Sequence, residues 1–282
     1  MKQFVLLLSL FSMTFTLAAR DFSQVEITVK NARANVYMLE GQGGNIGLLA
    51  TEEGLLMIDN QFKPLAEKIE SAMKSVVDKK IKYIVNTHFH GDHTGGNTVF
   101  SSTAPIFAHN NVRTRLMAKD QHTSAALPVV TYENGVTIHL ADEEITLSHL
   151  PHGHTDGDTY VYFAKANVLH TGDLFFNGRF PYIDLKSGGT VKGYLNNVRA
   201  IIKSMPSDVI IIPGHGELTD LDGLKAFEQM LTHSVNRVSA AITEGKTEEE
   251  VVAMGIGTTY RHLAWKFITE DKWMKTLYKS LI

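Results

Sequence analysis

His88-Phe89-His90-Gly91-Asp92-His93 follows closely on the apolar run Ile81-Lys82-Tyr83-Ile84-Val85. Three imidazoles and a carboxylate within six residues, at the end of a buried strand, are costly to desolvate and contribute little to packing. Imidazole with carboxylate is the donor set of zinc and related divalent ions. His88 and His90 alternate with Phe89, and residues two apart on an extended segment point the same way. Both rings then reach one ion while Phe89 turns back to the core. Gly91 frees the backbone to turn. Asp92 and His93 therefore face another direction and can serve a second, adjacent ion. Thr94-Gly95-Gly96 suits a tight turn into a following helix.

The same arrangement recurs along the chain. His152-Gly-His154-Thr-Asp-Gly-Asp158 follows the apolar stretch 145–150, Thr171-Gly-Asp173 follows Val168-Leu-His170, and Pro213-Gly-His215-Gly216 follows 209–212. One isolated histidine is ordinarily a hydrogen-bonded surface or core residue. Strand, glycine and ligand-capable side chain repeated in this way is not what packing alone selects. The structural reading is kept for His109, His122, His139, His149, His170, His233 and His262. His152, two residues before His154, and Asp59, at the end of an apolar run, are candidates for orienting a metal histidine from behind. Asp156 and Asp158 are expected to bond nearby backbone amides.

Outside these motifs the element order is informative. Short strands are expected over 25–29, 34–39, 46–50 and 55–59, separated by Gly and Asn turns. Leu65, Ile69, Ala72 and Val76 fall at helical spacing within 64–77. Further strands are expected over 81–85 and 106–108, with a helix over 110–119. A second half repeats the alternation, with strands at 137–140, 145–150, 160–163, 168–170 and 209–213 and a helix at 191–203. Two β-rich halves, each followed by helices, imply an α/β fold of four layers, an αβ/βα sandwich of two central mixed sheets. No sequence repeat links the halves. The tail, 220–282, reads as a helical cover, with an apolar stripe of Leu224, Phe227, Leu231, Val235 and Val238 and capping-box spacing at Thr247-Glu-Glu-Glu250.

The 282 residues carry a formal net charge of −3, with 44% hydrophobic and 20% charged side chains. There is no basic excess to neutralise a phosphate backbone, so nucleic acid is not the expected partner; a small molecule is. Residues 1–19 read as a secretory leader: Lys2, an apolar stretch from Phe4 to Leu17 interrupted by Ser9, Ser12, Thr14 and Thr16, and small residues at Ala18 and Ala19. That stretch is short for a membrane span. The expectation is export to the periplasm, with one functional domain over 20–282 and no span after cleavage. The chain has no cysteine. Disulfides are excluded, and any metal site is built without thiolate.

The ordered motifs resemble the metallo-β-lactamase superfamily. His88-Phe-His-Gly-Asp-His93 matches its His-x-His-x-Asp-His signature, and Gly153-His154-Thr155, Gly172-Asp173 and Pro213-Gly-His215-Gly216 resemble its downstream ligand motifs. The resemblance covers about 25–220 and implies a two-metal site along one edge of the paired sheets. By position, it implies that His88, His90 and His154 hold one ion, that Asp92, His93 and His215 hold the other, and that Asp173 bridges them. Two zinc ions are expected, with iron or manganese as alternatives. Subclass B1 and B2 lactamases carry a cysteine on the second metal, at the place where this chain has Asp173; B3 lactamases have no ligand there. A bridging Asp is similar to the glyoxalase II, lactonase and phosphodiesterase branches.

Two such ions lower the pKa of a shared water toward neutrality. The implied reaction is hydrolysis by that hydroxide, with Asp92 and Asp173 holding the dications close. The substrate is an ester, lactone, thioester or lactam. The alternatives are a β-lactamase proper, and an iron-dependent persulfide dioxygenase or di-iron redox protein on the same fold. Arg179 is a candidate for a substrate carboxylate or phosphate, and Phe176 and Tyr182, with Phe175 and Phe180, for an apolar pocket. The other reading pairs Arg179 with Asp184 and puts the aromatics in the core. The resemblance also implies that the glycine-rich turn 41–45 lies over the metals, as the corresponding hairpin does in relatives.

Overall fold

The computed structural model describes residues 21–119 and 123–282. The expected leader and His122 lie outside the described residues. Seven strands form the first sheet in chain order: β1 (Thr28–Arg33), β2 (Val36–Glu40), β3 (Ile46–Thr51), β4 (Gly54–Ile58), β5 (Ile81–Val85), β6 (Ile106–His109) and β7 (Val130–Tyr132). β1 to β4 form an antiparallel meander, and β4 to β7 run parallel. The second sheet has the order β13-β12-β11-β10-β9-β8, from β8 (Gly135–Leu140), β9 (Glu143–His149), β10 (Thr159–Phe163), β11 (Val168–His170), β12 (Ile210–Ile212) and β13 (Thr219–Asp220). Only β11 and β12 are parallel there.

The alternation of side chains sorts each strand between two cores. Leu49, Leu56, Ile58 and Val85 of the first sheet meet Ile145, Leu147, Val161, Val168 and Ile212 of the second. The intervening residues Leu48, Leu55, Met57 and Ile84 point the other way, onto Ile69 and Met73 of α1 (Ala66–Val76) and Phe100 of α3 (Asn97–Phe100). Between those helices lies the single turn α2 (Gly91–Thr94); α4 (Asn110–Met117) follows β6. On the outer face of the second sheet, Leu169 and Ile211 pack against α5 (Val191–Ser204), α6 (Leu221–Thr243), α7 (Glu248–Met254) and α8 (Glu270–Leu281). The result is the expected helix–sheet–sheet–helix sandwich.

Several boundaries differ from the sequence reading for physical reasons. β1 begins at Thr28 rather than at Val25, because the hairpin with β2 closes at Ala34, which takes a left-handed φ of 50°. Val25 and Ile27 pack against the α1 core instead. β7 and β13 have three and two residues, too few to show a period. The tail is helical, with its capping box at Thr247 and Glu250 formed, but 255–269 is an irregular connection between α7 and α8. Among the described residues, no helix is long and apolar enough to cross a membrane.

Candidate metal centre

The strand ends β4, β5, β9, β11 and β12 converge at one end of the sandwich, and the ligand-capable residues lie in the segments that follow them. β5 stops at Val85. His88 and His90 therefore lie on a loop, and Asp92 and His93 on the turn α2. Gly91 does not take a positive φ, so the turn does not require its conformational freedom. Phe89 leaves the site, as expected, and packs against the Val112 cluster.

Seven side chains predicted from the sequence gather into two groups: His88, His90, His154 and Asp173, and beside them Asp92, His93 and His215. Within each, the donor atoms lie within 4.8 Å of one another. In the first group His90 Nδ1 is 3.2 Å from His88 Nε2 and 2.8 Å from His154 Nε2. Asp173 divides its carboxylate between the groups. Oδ2 lies 3.3 Å from His154 Nε2 and 3.7 Å from His88 Nε2, while Oδ1 lies 3.1 Å from His93 Nε2 and 3.4 Å from His215 Nε2. Asp92 Oδ2 completes the second group, 3.5 Å from His215 Nε2 and 3.8 Å from His93 Nε2.

The outward ring nitrogens fix the inward ones. His88 Nδ1 donates to Thr87 Oγ1, whose own hydroxyl donates to Asp59. His93 Nδ1 donates to Asp59 Oδ2 at 2.7 Å, His154 Nδ1 to the Tyr182 carbonyl at 2.7 Å, and His90 Nε2 to Asp184 Oδ2 at 3.1 Å. With their protons outward, the His88, His90 and His154 rings turn bare lone pairs toward one another. Three lone pairs in mutual contact repel unless a cation lies among them. Two buried atoms of the centre, His93 Nε2 and Asp173 Oδ1, lie 3.1 Å apart without aligning as a hydrogen bond and have no other partner. Such orphans are rare in native interiors, and both are donors to a divalent ion. The residues fit a pair of metal ions held by nitrogen and oxygen.

The electrostatics agree for His88, His154 and Asp173, whereas His93 favours a proton in the place where an ion would lie. Burial pushes His88 well below the ordinary imidazole pKa and His154 down to about 4, keeping both neutral and available as ligands. Burial also opposes charge on His93, but Asp173, Asp59 and Asp92 outweigh it and hold this imidazole well above its usual value. For Asp173, burial is outweighed by His93, His215, His154 and His88, which keep the carboxyl well below the usual range.

Asp59 occupies the supporting place expected of it, fully buried and at a strained φ of 59°. His152 does not. It is exposed, and its ring donates to the Gly188 carbonyl at 3.1 Å, because the left-handed backbone at this residue turns the side chain outward. Asp184, which the sequence offered only as a partner for Arg179, supports His90 instead. Asp158 bonds the Thr155 amide and hydroxyl as expected, whereas Asp156 pairs in bidentate fashion with Arg115. The other histidines of the described chain are structural or exposed. His170 donates to the Asn45 carbonyl and accepts from the Gly172 amide, which fixes the loop carrying Asp173.

A cleft of about 720 Å³ opens over the centre. The 41–45 turn forms one wall: a Cβ on Gly44 would come within 2.1 Å of the His93 ring, and the Gly44 amide donates to the Asp92 carbonyl. Arg179, Phe176 and Tyr182 all line it. Arg179 lies over the Trp265 ring, 5.2 Å from its centroid, and among the described residues makes no ion pair. Phe175 and Phe180 belong to the core, against Phe227 and Trp273. Trp265 and Phe267, from the connection between α7 and α8, complete the wall. The sequence reading missed them; two large aromatics within three residues, between helices, were the available signal.

Two mixed sheets packed face to face, with a paired His/Asp centre where their strands end, define a metal-site α/β sandwich. The family model described as the metallo-beta-lactamase superfamily matches residues 39–215, and the chain belongs to that superfamily. It is 23% identical over 208 residues to a metallo-beta-lactamase type 2 of Elizabethkingia meningoseptica, covering 69% of this chain and 81% of the relative. To the acyl-coenzyme A thioesterase MBLAC2 of Homo sapiens it is 21% identical over 207 residues, covering 65% and 73%. The solved metallo-beta-lactamase from Pontibacter korlensis shares the fold at a TM-score of 0.65 and 19% identity, over 73% of this chain and 99% of that one.

Proposed function

We propose that the chain is an exported hydrolase that holds two divalent ions, zinc before iron or manganese, and cleaves a small ester, lactone, thioester or lactam. The carrying observation is the divided carboxylate of Asp173, with one oxygen on each histidine group and Oδ1 left without a partner. His88, His90 and His154 would hold one ion, Asp92, His93 and His215 the other, and Asp173 both. Ions so placed supply Lewis acidity and an acidified water. Asp92, whose side chain is 31% exposed, faces the cleft and is placed to accept the proton that hydrolysis releases. Asp173 is buried and serves to hold charge.

The relative named as a thioesterase supports thioesters among the substrates, and the one named as a lactamase keeps lactams among them. A carboxylate at Asp173, in a chain without cysteine, weighs against lactams as the first choice. Export rests on the composition of residues 1–19 alone. The test is metal analysis of natively purified protein, followed by turnover of a thioester, a lactone and a β-lactam. Zinc near two equivalents and turnover of one of the three are expected. His90→Ala should release metal and abolish turnover, and activity retained in that variant would remove the assignment.

A further inference from the structure

The aromatic groups around the cleft form a chain that links the two donor groups. Tyr182 lies 5.7 Å from His90 and 5.5 Å from Phe267. Phe267 is 5.6 Å from Trp265, and Trp265 is 6.5 Å from His215. His215 in turn stacks on Phe176 at 4.9 Å. The chain thus begins at a histidine of the first group and ends at a histidine of the second, so it borders both. The indole nitrogen of Trp265 donates to the Phe180 carbonyl at 2.9 Å, which leaves that ring nothing polar to offer the cleft. Phe267 is 51% exposed even though the Lys272 ammonium lies 3.8 Å from its ring centroid. Tyr182, Phe267 and Trp265 follow one another along the cleft wall at 5.5 and 5.6 Å, so their rings together present an apolar face to the bound molecule.

We propose that these rings form the subsite for a ring-sized apolar group attached to the scissile ester or thioester, and that Trp265 and Phe267 set the preference for it. The inference rests on the hydrolase reading. Tilted rings of this kind accept another aromatic ring edge-to-face or offset. Trp265 and Phe267 themselves offer a sugar or a polar acyl chain no hydrogen-bond partner; the donors beside them are the Arg179 guanidinium over Trp265 and the Lys272 ammonium over Phe267.

The protein carries its own reporter. Of its two tryptophans, Trp265 lines the cleft and Trp273 is buried in the helical core. Titrating the metal-loaded full chain with phenylacetate should change tryptophan emission, with binding at least about tenfold tighter than for acetate. Trp265→Phe should lose the signal and Trp273→Phe should keep it. Phe267→Ala should remove most of the difference between the two acids. Equal affinity for the two acids, or an undiminished preference in Phe267→Ala, overturns the subsite. In a second arm, phenylacetyl and acetyl thioesters of one thiol are compared by kcat/KM. A ratio of about ten or more is expected, falling toward one in Phe267→Ala. Preferential binding without turnover of either thioester supports the subsite and removes thioesters from the proposed substrates. Turnover without preference does the reverse.

Discussion

Asp59 shows how much of a metal centre is decided by residues that never face the cleft. One buried carboxylate accepts from His93 directly and from Thr87, which in turn receives His88. It therefore supports both donor groups, whereas Asp184 supports only His90. Asp59→Asn should lower the affinity of both ions by about 10–100-fold, and Asp184→Asn that of the first group alone; competition with a chromogenic chelator separates the two. Loss confined to one ion in Asp59→Asn would refute the shared support. At this scale the sequence was most legible where donor residues adjoin glycine just after strands, as at His90, Asp173 and His215. It was least legible for Asp184 and the Tyr182 carbonyl, which reach their histidines only because distant segments meet.

Among the elements, the turn 41–45 and the loop carrying the hexad depend on each other. Gly44 is seated on His93 with no room for a methyl group, and Asn45 ties the turn to the Pro213 and Gly216 carbonyls beside His215. Gly44→Ala should displace the turn or the imidazole, at a cost of about 1–3 kcal/mol. Denaturant unfolding measures that cost, and metal analysis should show the second ion lost first. The glycines predicted a turn here, and its place over the centre came from the resemblance alone. The connection 255–269 was harder to read. Helical periodicity on both sides absorbed it into a cover, and nothing in local spacing says that Trp265 and Phe267 return to the cleft.

For the molecule as a whole, the four layers were legible because β-rich and helical stretches alternate twice. The short edge strands β7 and β13 were not, since they are defined by their neighbours. Burial leaves His170 and His109 with pKa values of about 4. An unfolded imidazole titrates near 6.5, so between those values the unfolded chain binds more protons and stability rises with pH. The metal-free protein should lose stability as pH falls from about 6.5 to about 4, and urea midpoints across that window test the sign. Metal should add stability by mass action, about 2.7 kcal/mol at a hundredfold excess over Kd. A chelator should therefore lower the thermal midpoint.

Asp173 has a last consequence, for how the centre fills. With one ion bound, half of its buried carboxylate still faces His93 and His215 with nothing between them. Asp173 already holds the divided rotamer, and a second dication would share one negative charge with the first and be repelled by it. Loading should therefore be stepwise: at half an equivalent per site, molecules carrying a single ion should outnumber doubly filled ones. Native mass spectrometry of a substoichiometric zinc titration reads that distribution directly.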